Sequence, residues 1–87
     1  MPVVWIPAPL RDLTGGRETV TVPAGTVMGV IVTLNQQFPG VRDRLCAGQG
    51  LRPGLTVVID GEAARLDLWE PVGEASEVHF LPAIGGG

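Results

Sequence analysis

This 87-residue sequence contains no lysine, one cysteine and one histidine. All six cations are arginines, they are scattered along the chain, and the formal net charge is −3. A chain without a basic run is a poor nucleic-acid binder, because clustered cations hold the phosphate backbone. Without lysine, the protein also cannot accept isopeptide-linked copies of itself. We therefore expect no nucleic-acid partner and no self-linked chains.

Long apolar segments are absent as well. No stretch approaches the roughly 20 residues that span a bilayer, and no basic segment followed by an apolar one marks a secretory signal. The one cysteine, Cys46, cannot form a disulfide within the chain, which is typical of proteins in reducing compartments. We therefore expect a cytoplasmic protein that does not act at a membrane.

The residues that usually build catalytic sites are too few to build one here. Nucleophilic catalysis needs a nucleophile beside a base, and the one such pair, Cys46 and His79, is far apart in sequence. A zinc site needs about four ligands, and no phosphate-binding glycine motif follows a strand. We therefore expect no metal, no bound cofactor and no enzyme activity that the chain performs alone.

The most unusual segment is the C-terminus, where an apolar run from Val78 to Ile84 leads directly into Gly85, Gly86 and Gly87. Glycine has no side chain to hinder a terminal carboxylate and adopts either sign of φ freely, so such a tail can enter a narrow channel of another protein. This predicts a carrier whose reacting group is the carboxyl of Gly87. The alternatives are an idle frayed end and an expression scar, although a scar usually carries Ser, His or protease-site residues.

Apolar spacing predicts the order ββαββ followed by a final strand. Val27, Ile31, Leu34 and Phe38 fall on one helical face behind Thr26, a fair N-cap, although many residues of this segment are β-branched and disfavour a helix. Strands are predicted at 3–6, 18–22, 55–59, 62–65 and 77–81. A helical turn is predicted at 41–45, followed by a loop up to 54. The other predictions are a tight turn at Asp60-Gly61 and a turn or loop at 71–74, and the segment at 66–69 is ambiguous.

Alternation along these strands assigns two faces to the sheet. If the first and last strands are parallel neighbours, Trp5, His79 and Leu81 form an exposed patch that, with Pro82 and Ile84, is typical of a partner-binding surface. Pro82 would end the strand pairing and steer the tail away from the sheet. Alternatively, Trp5 packs beneath the loop from Leu10 to Leu13. The residues predicted to face the helix and form the core are Val4, Ile6, Val20, Val22, Ile31, Val57, Ile59, Val78 and Phe80.

Four segments, in this order along the chain, resemble the MoaD/ThiS group of small sulfur carrier proteins. Residues 10–16 (LRDLTGG) are similar to the loop after its first strand, and residues 37–45 (QFPGVRDRL) to its helix end and following turn. Residues 55–62 (LTVVIDGE) resemble its central strand and turn, and residues 77–87 (EVHFLPAIGGG) its last strand and tail. The family more often has Ala, Thr or Ser where this chain has Gly85. The tail and the first loop look closer to the CysO-type branch than to many molybdopterin or thiazole carriers.

The resemblance implies an α+β fold, the ubiquitin-like β-grasp, with a mixed sheet of four to five strands and one main helix packed across it. Residues 1–84 would form this domain and residues 85–87 a flexible glycine tail. An adenylating, ubiquitin-activating-type enzyme would use ATP to activate Gly87, a sulfur donor system would convert it to a thiocarboxylate, and a downstream enzyme would take the sulfur into cysteine or another metabolite.

The protein would then be a co-substrate of its partner enzymes. Other branches of the family remain as alternatives, namely the small subunit of molybdopterin synthase and the sulfur carrier for the thiazole of thiamine. Two further classes share the same tail: a ubiquitin-like modifier of lysines and a non-covalent interaction module.

Overall fold

The structure is a computed structural model that describes residues 1–82. Its elements in chain order are β1 (Val3–Trp5), the 3₁₀ helix η1 (Ala8–Leu10), β2 (Thr19–Thr21), β3 (Gly25–Thr26), α1 (Val27–Gln37), α2 (Val41–Leu45), β4 (Cys46–Ala47), β5 (Gly50–Leu51), β6 (Leu55–Ile59), β7 (Glu62–Ala63), the 3₁₀ helix η2 (Asp67–Trp69), β8 (Pro71–Val72) and β9 (Glu77–Pro82).

The main helix α1 forms where the apolar spacing predicts it, despite its β-branched residues. The Thr26 hydroxyl accepts a hydrogen bond from the Gly29 backbone N–H at 3.2 Å, so one of the unpaired amides of the first turn is satisfied. Burial of one apolar stripe outweighs the weak helix propensity. That stripe consists of Val27, Val30, Ile31 and Leu34.

The principal sheet has five strands in the order β2-β1-β9-β6-β7. The central pair β1 and β9 is parallel, and every other pair in this sheet is antiparallel. The parallel pair is possible because the long stretch between β1 and β9 carries the helix across one face of the sheet. The predicted mixed sheet with one main helix is thus confirmed, and the fold is the ubiquitin-like β-grasp.

The core lies between the sheet and α1, as the strand alternation predicts. Val4 pairs with Val78, and Val57 pairs with Phe80, so that the inward residues of three neighbouring strands lie side by side. All nine predicted core residues are in or against this core, although Ile59 is only partly buried. The core is completed by residues from η1, α2, η2 and β8, namely Leu10, Val41, Leu45, Leu68 and Val72.

Short pairings were the part of the fold that the sequence prediction got wrong. The predicted loop after α2 contains β4 and β5, which pair with each other, and the predicted turn or loop at 71–74 begins with β8, which pairs with β3. The ambiguous segment at 66–69 is the 3₁₀ helix η2, and the predicted strand at 62–65 shortens to Glu62–Ala63. Two- and three-residue elements show no measurable periodicity, which is the signal that the prediction used.

The tight turn predicted at Asp60-Gly61 is present. Both residues have positive φ, 52° and 85°, the combination that a two-residue hairpin turn requires and that Asp-Gly readily adopts. This turn returns the chain from β6 into β7 and completes the edge of the sheet. No helix of residues 1–82 is long and apolar enough to cross a membrane.

Candidate functional site

The face of the sheet opposite α1 carries the aromatic and aliphatic residues that the sequence predicted there. Trp5 and His79 are register partners across the parallel pair of β1 and β9. Their rings stack with centroids 5.4 Å apart and planes 9° from parallel. Trp5 remains 38% exposed and Leu81 43% exposed. The structure therefore brings Trp5, His79 and Leu81 onto one exposed surface.

Trp5 is also held by a hydrogen bond. Its indole Nε1–H donates to Oε1 of Glu77, which lies two residues before His79 on the same face of β9, at 3.3 Å. The stack and this bond fix the ring over the sheet, so the alternative placement beneath the loop from Leu10 to Leu13 is wrong. An exposed tryptophan held in one orientation is a preformed contact residue, because little side-chain entropy remains to be lost on binding.

The neighbouring strand β6 extends this surface. Val58 is the register partner of His79, and Thr56 is the register partner of Leu81. Both point to the same face as their partners, because opposed residues of a ladder share a face. We call the surface formed by Trp5, Val58, His79 and Leu81 the Trp5 face. The contributions of Val58 and Glu77 were missed by the sequence reasoning, since the pairing of Val58 with His79 and the hydrogen bond from Trp5 to Glu77 both depend on cross-strand register.

Pro82 belongs to the β6–β9 ladder, where it is the register partner of Leu55. The N–H of Val3, in β1, donates to the carbonyl of Ser76, which directly precedes β9, at 3.0 Å. The carbonyl of Ser76 therefore points toward β1. Backbone groups alternate sides along a strand, so the even-numbered residues of β9, including Pro82, direct theirs toward the β1 side. Because β1 ends at Trp5, that side is unpaired at Pro82, and the missing N–H of proline removes no hydrogen bond.

The remaining predicted site residues, Ile84, Gly85, Gly86 and Gly87, lie outside the described residues. The same holds for the predicted direction of the chain beyond Pro82. The last residue that the structure describes is Pro82 in β9, which directly follows Leu81 of the Trp5 face.

The two residues considered for nucleophilic chemistry have separate surroundings. Cys46 is half-buried in β4, and burial raises the pKa of its thiol above the ordinary value, with Arg42 opposing the shift. His79 lies against the indole of Trp5 on the sheet face. Within residues 1–82, no three His, Cys, Asp or Glu side chains converge in a way that could hold a metal ion.

Comparison with known proteins gives matches over the whole chain. The chain is 29% identical over 89 aligned residues to the sulfur carrier protein CysO of Mycobacterium tuberculosis, covering 97% of this chain and 96% of that protein. The crystal structure of M. tuberculosis CysO superposes with a TM-score of 0.87, at 27% identity over 97% of this chain and all of the other.

Two further solved structures are similar. The crystal structure of an Amycolatopsis orientalis BexX/CysO complex contains a chain with a TM-score of 0.90 and 29% identity, with full coverage of both chains. SAMP1 from Haloferax volcanii has a TM-score of 0.71 and 26% identity, covering 99% of this chain and 98% of that one. The profile of the ThiS family matches residues 4–87, which include the terminal glycines. The chain therefore belongs to the ThiS family.

Proposed function

We propose that this protein is a sulfur carrier whose reacting group is the carboxyl of Gly87. The observation that carries the proposal is that the family match continues through Gly87. The CysO relatives, which are named sulfur carrier proteins, also align over nearly their full length. The three consecutive glycines suit this role, because they leave the acyl carbon unhindered and reach about 10 Å when extended.

The proposed chemistry takes place at the carboxyl group of Gly87 in three steps. An activating enzyme transfers AMP from ATP to the Gly87 carboxylate, with pyrophosphate as the leaving group. A sulfide-level sulfur from a donor system then attacks the acyl carbon, the C–S bond forms, and the C–O bond to AMP breaks. The product is a thiocarboxylate. On a downstream enzyme, the thiocarboxylate sulfur displaces a leaving group from its acceptor. Water then cleaves the bond that still joins the acyl carbon to the acceptor, which releases the sulfur-containing product and regenerates the carboxylate. The protein therefore acts as a recycled co-substrate, and ATP is bound by its partner.

For the destination of the sulfur, we propose the CysO-like branch, in which the resemblance implies protein-thiocarboxylate-dependent synthesis of cysteine. The support is the similarity to CysO proteins in both sequence and fold. The acceptor is the finer part of the proposal, and feeding the thiocarboxylate form to candidate acceptor enzymes would identify it.

We propose the Trp5 face, together with Pro82 and Ile84, as the surface that docks the activating enzyme. Trp5 is held by the stack on His79 and by Glu77, and it lies on the strand next to the one that leads into the tail. A partner that grips this face would therefore receive the tail beside it. Exposed, preordered tryptophan is a frequent anchor of protein interfaces.

Substitution on the Trp5 face tests this docking role. Trp5→Ala and Leu81→Ala should each weaken binding to the activating enzyme by about 1 kcal/mol or more, the usual threshold for an anchor residue, with little change in unfolding free energy. Val32→Ala is the matched control, because Val32 is an exposed apolar residue on α1, on the other side of the sheet. Normal binding by Trp5→Ala together with a much lower melting temperature would make Trp5 a structural residue instead.

Truncation of the tail tests the reacting group. A protein lacking Gly86 and Gly87 should not support ATP–pyrophosphate exchange by its activating enzyme, and its thermal stability should stay nearly unchanged. Gly86→Val should behave in the same way, because a branched side chain does not fit a channel shaped for glycine. Exchange at the normal rate with the truncated protein would contradict the proposal.

A protein modifier is the second candidate, and the similarity to SAMP1 of H. volcanii, a small archaeal modifier protein, favours it. Activation of Gly87 would be common to both functions. They differ in the product, since a modifier joins Gly87 to lysines of other proteins, whereas a sulfur carrier holds –COSH at Gly87.

A further inference from the structure

A second pair of large apolar residues is exposed on the helix side of the molecule. Trp69 is 68% exposed and Leu66 is 57% exposed, so both are more open to solvent than Trp5. They lie at and just before η2, which packs against α1 rather than on the open face of the sheet. This pair is therefore on a different side of the molecule from the Trp5 face, and the fold does not use either side chain in its core.

The backbone that presents this pair is firmly held. Oε1 of Glu70 accepts hydrogen bonds from the backbone N–H groups of Arg65 and Leu66 at 2.8 and 3.0 Å. The Trp69 N–H donates to the Leu66 carbonyl at 2.9 Å, and Leu68, between them, is buried in the core. The exposure of Leu66 and Trp69 is therefore a fixed feature of an anchored segment.

The groove beside this segment is acidic. Its volume is about 410 Å³, and its lining includes Asp60, Glu62, Arg65 and Glu70, that is, three carboxylates and one guanidinium. The side-chain ion pairs within residues 1–82 join Arg11 to Glu18 and Arg44 to Asp12, so none of these three carboxylates is neutralised by an arginine. The groove also does not gather its carboxylates into a metal site, since residues 1–82 contain no such cluster.

We propose that Leu66, Trp69 and the groove lined by Asp60, Glu62 and Glu70, together called the Trp69 surface, dock a segment of a partner protein that carries apolar residues flanked by arginine or lysine. The two exposed side chains supply apolar contact area, and the three carboxylates, none of which forms an ion pair with an arginine within residues 1–82, supply charge complementarity to cations beside it. Electrostatic complementarity of this kind selects the partner and its orientation.

Docking at the Trp69 surface does not depend on the chemistry of Gly87. A carrier whose Trp5 face is covered by one protein would still present the Trp69 surface to another, because the two lie on opposite sides of the sheet. The two surfaces can therefore be tested separately, and either can fail without the other.

The test uses the full chain, labelled with ¹⁵N, and three short synthetic peptides of equal length. The first peptide alternates leucine and arginine, the second has glutamate in place of arginine, and the third has serine in place of leucine. The two tryptophans, Trp5 and Trp69, give separate indole N–H signals, one for each surface. We expect the first peptide alone to shift the Trp69 indole signal and the amides of residues 60–71, and to leave the Trp5 indole signal in place.

Variants decide between this surface and non-specific attraction. Trp69→Ala and Glu62→Arg should each weaken binding of the leucine–arginine peptide about tenfold, and Trp5→Ala should leave it unchanged. Both altered residues are exposed, and the amide spectrum of each variant reports whether it folds. The proposal is overturned if no peptide binds at millimolar concentration, if all three bind equally, or if the Trp5 indole signal shifts in place of that of Trp69.

Discussion

Replacement of Phe80 by alanine tests the strand register on which the whole arrangement of faces depends. Phe80 is 3% exposed and lies in β9 opposite Val57, inside the core. Truncating a buried phenylalanine to alanine typically lowers the free energy of unfolding by about 3–5 kcal/mol, because apolar contacts are lost and a cavity remains. Single domains have total stabilities of about 5–15 kcal/mol, so we expect this substitution to remove a large share.

The adjacent residue provides the matched control. Leu81 follows Phe80 in the same strand but points to the open face, where 43% of it is exposed. Leu81→Ala should therefore lower the unfolding free energy by less than about 1 kcal/mol, as is usual for surface substitutions. The difference between the two variants, at least about 2 kcal/mol, measures the alternation of the strand, because a slip of one residue would exchange the two faces.

Urea unfolding followed by far-ultraviolet circular dichroism is the suitable assay. Fluorescence is a poor probe here, because both tryptophans are already exposed in the folded protein. If the slope of unfolding free energy against urea concentration is the same in both variants, the shift in the transition midpoint reports the change in stability alone. A loss below about 1 kcal/mol for Phe80→Ala, or an equal loss for Leu81→Ala, would refute the register.

Three further predictions concern local contacts. Oδ1 of Asn35 accepts hydrogen bonds from the backbone N–H groups of Gly40 and Arg42, both at 3.1 Å. Asn35→Ala should therefore lower the unfolding free energy by about 1–2 kcal/mol. Asn35→Asp keeps the acceptor oxygen and should leave the unfolding free energy unchanged. A Cβ at Gly29, an exposed helical position, meets only the Thr26 hydroxyl at an ordinary 3.6 Å. Gly29→Ala should therefore raise the free energy of unfolding by up to about 1 kcal/mol, which is measured as a higher melting temperature. Because burial raises the pKa of the Cys46 thiol, less thiolate is present near pH 8, and alkylation by iodoacetamide should be slower than for free cysteine and should accelerate on unfolding.

The sequence predicted the long elements because their periodicity is set by burial. Val27 to Leu34 repeat at helical spacing, and residues 55–59 and 77–81 alternate or run apolar, so each segment has one stable way to bury its apolar side chains. The parallel pairing of β1 with β9 was expected from the resemblance to a known family, since alternation within a strand does not specify its neighbour. The same alternation placed Trp5, His79 and Leu81 on the open face.

The rest of the surface depends on contacts that no single segment encodes. The stack of Trp5 on His79 follows from a register between residues that are far apart in sequence. The exposure of Trp69 follows from the way Leu68 and Glu70 anchor the segment around it. The pairing of β8 with β3 could not be predicted from the sequence for a similar reason, because the position of a two-residue ladder is set by its neighbours in space.

The sulfur-carrier proposal depends on the chemical state of the Gly87 carboxyl, which mass spectrometry can measure. The protein should be purified from its own host and digested with trypsin, which cleaves after the last arginine, Arg65. The resulting C-terminal peptide contains no methionine or cysteine, so oxidation of those residues cannot imitate the expected change.

We predict an increase of about 16 Da, located by fragmentation at Gly87, where sulfur replaces oxygen. Fragmentation also separates this change from oxidation of Trp69, which would lie elsewhere in the peptide. Gly87 found instead as a remnant on lysines of other proteins would make the protein a modifier. A Gly87 carboxyl that stays unmodified under every growth condition would contradict the sulfur-carrier account.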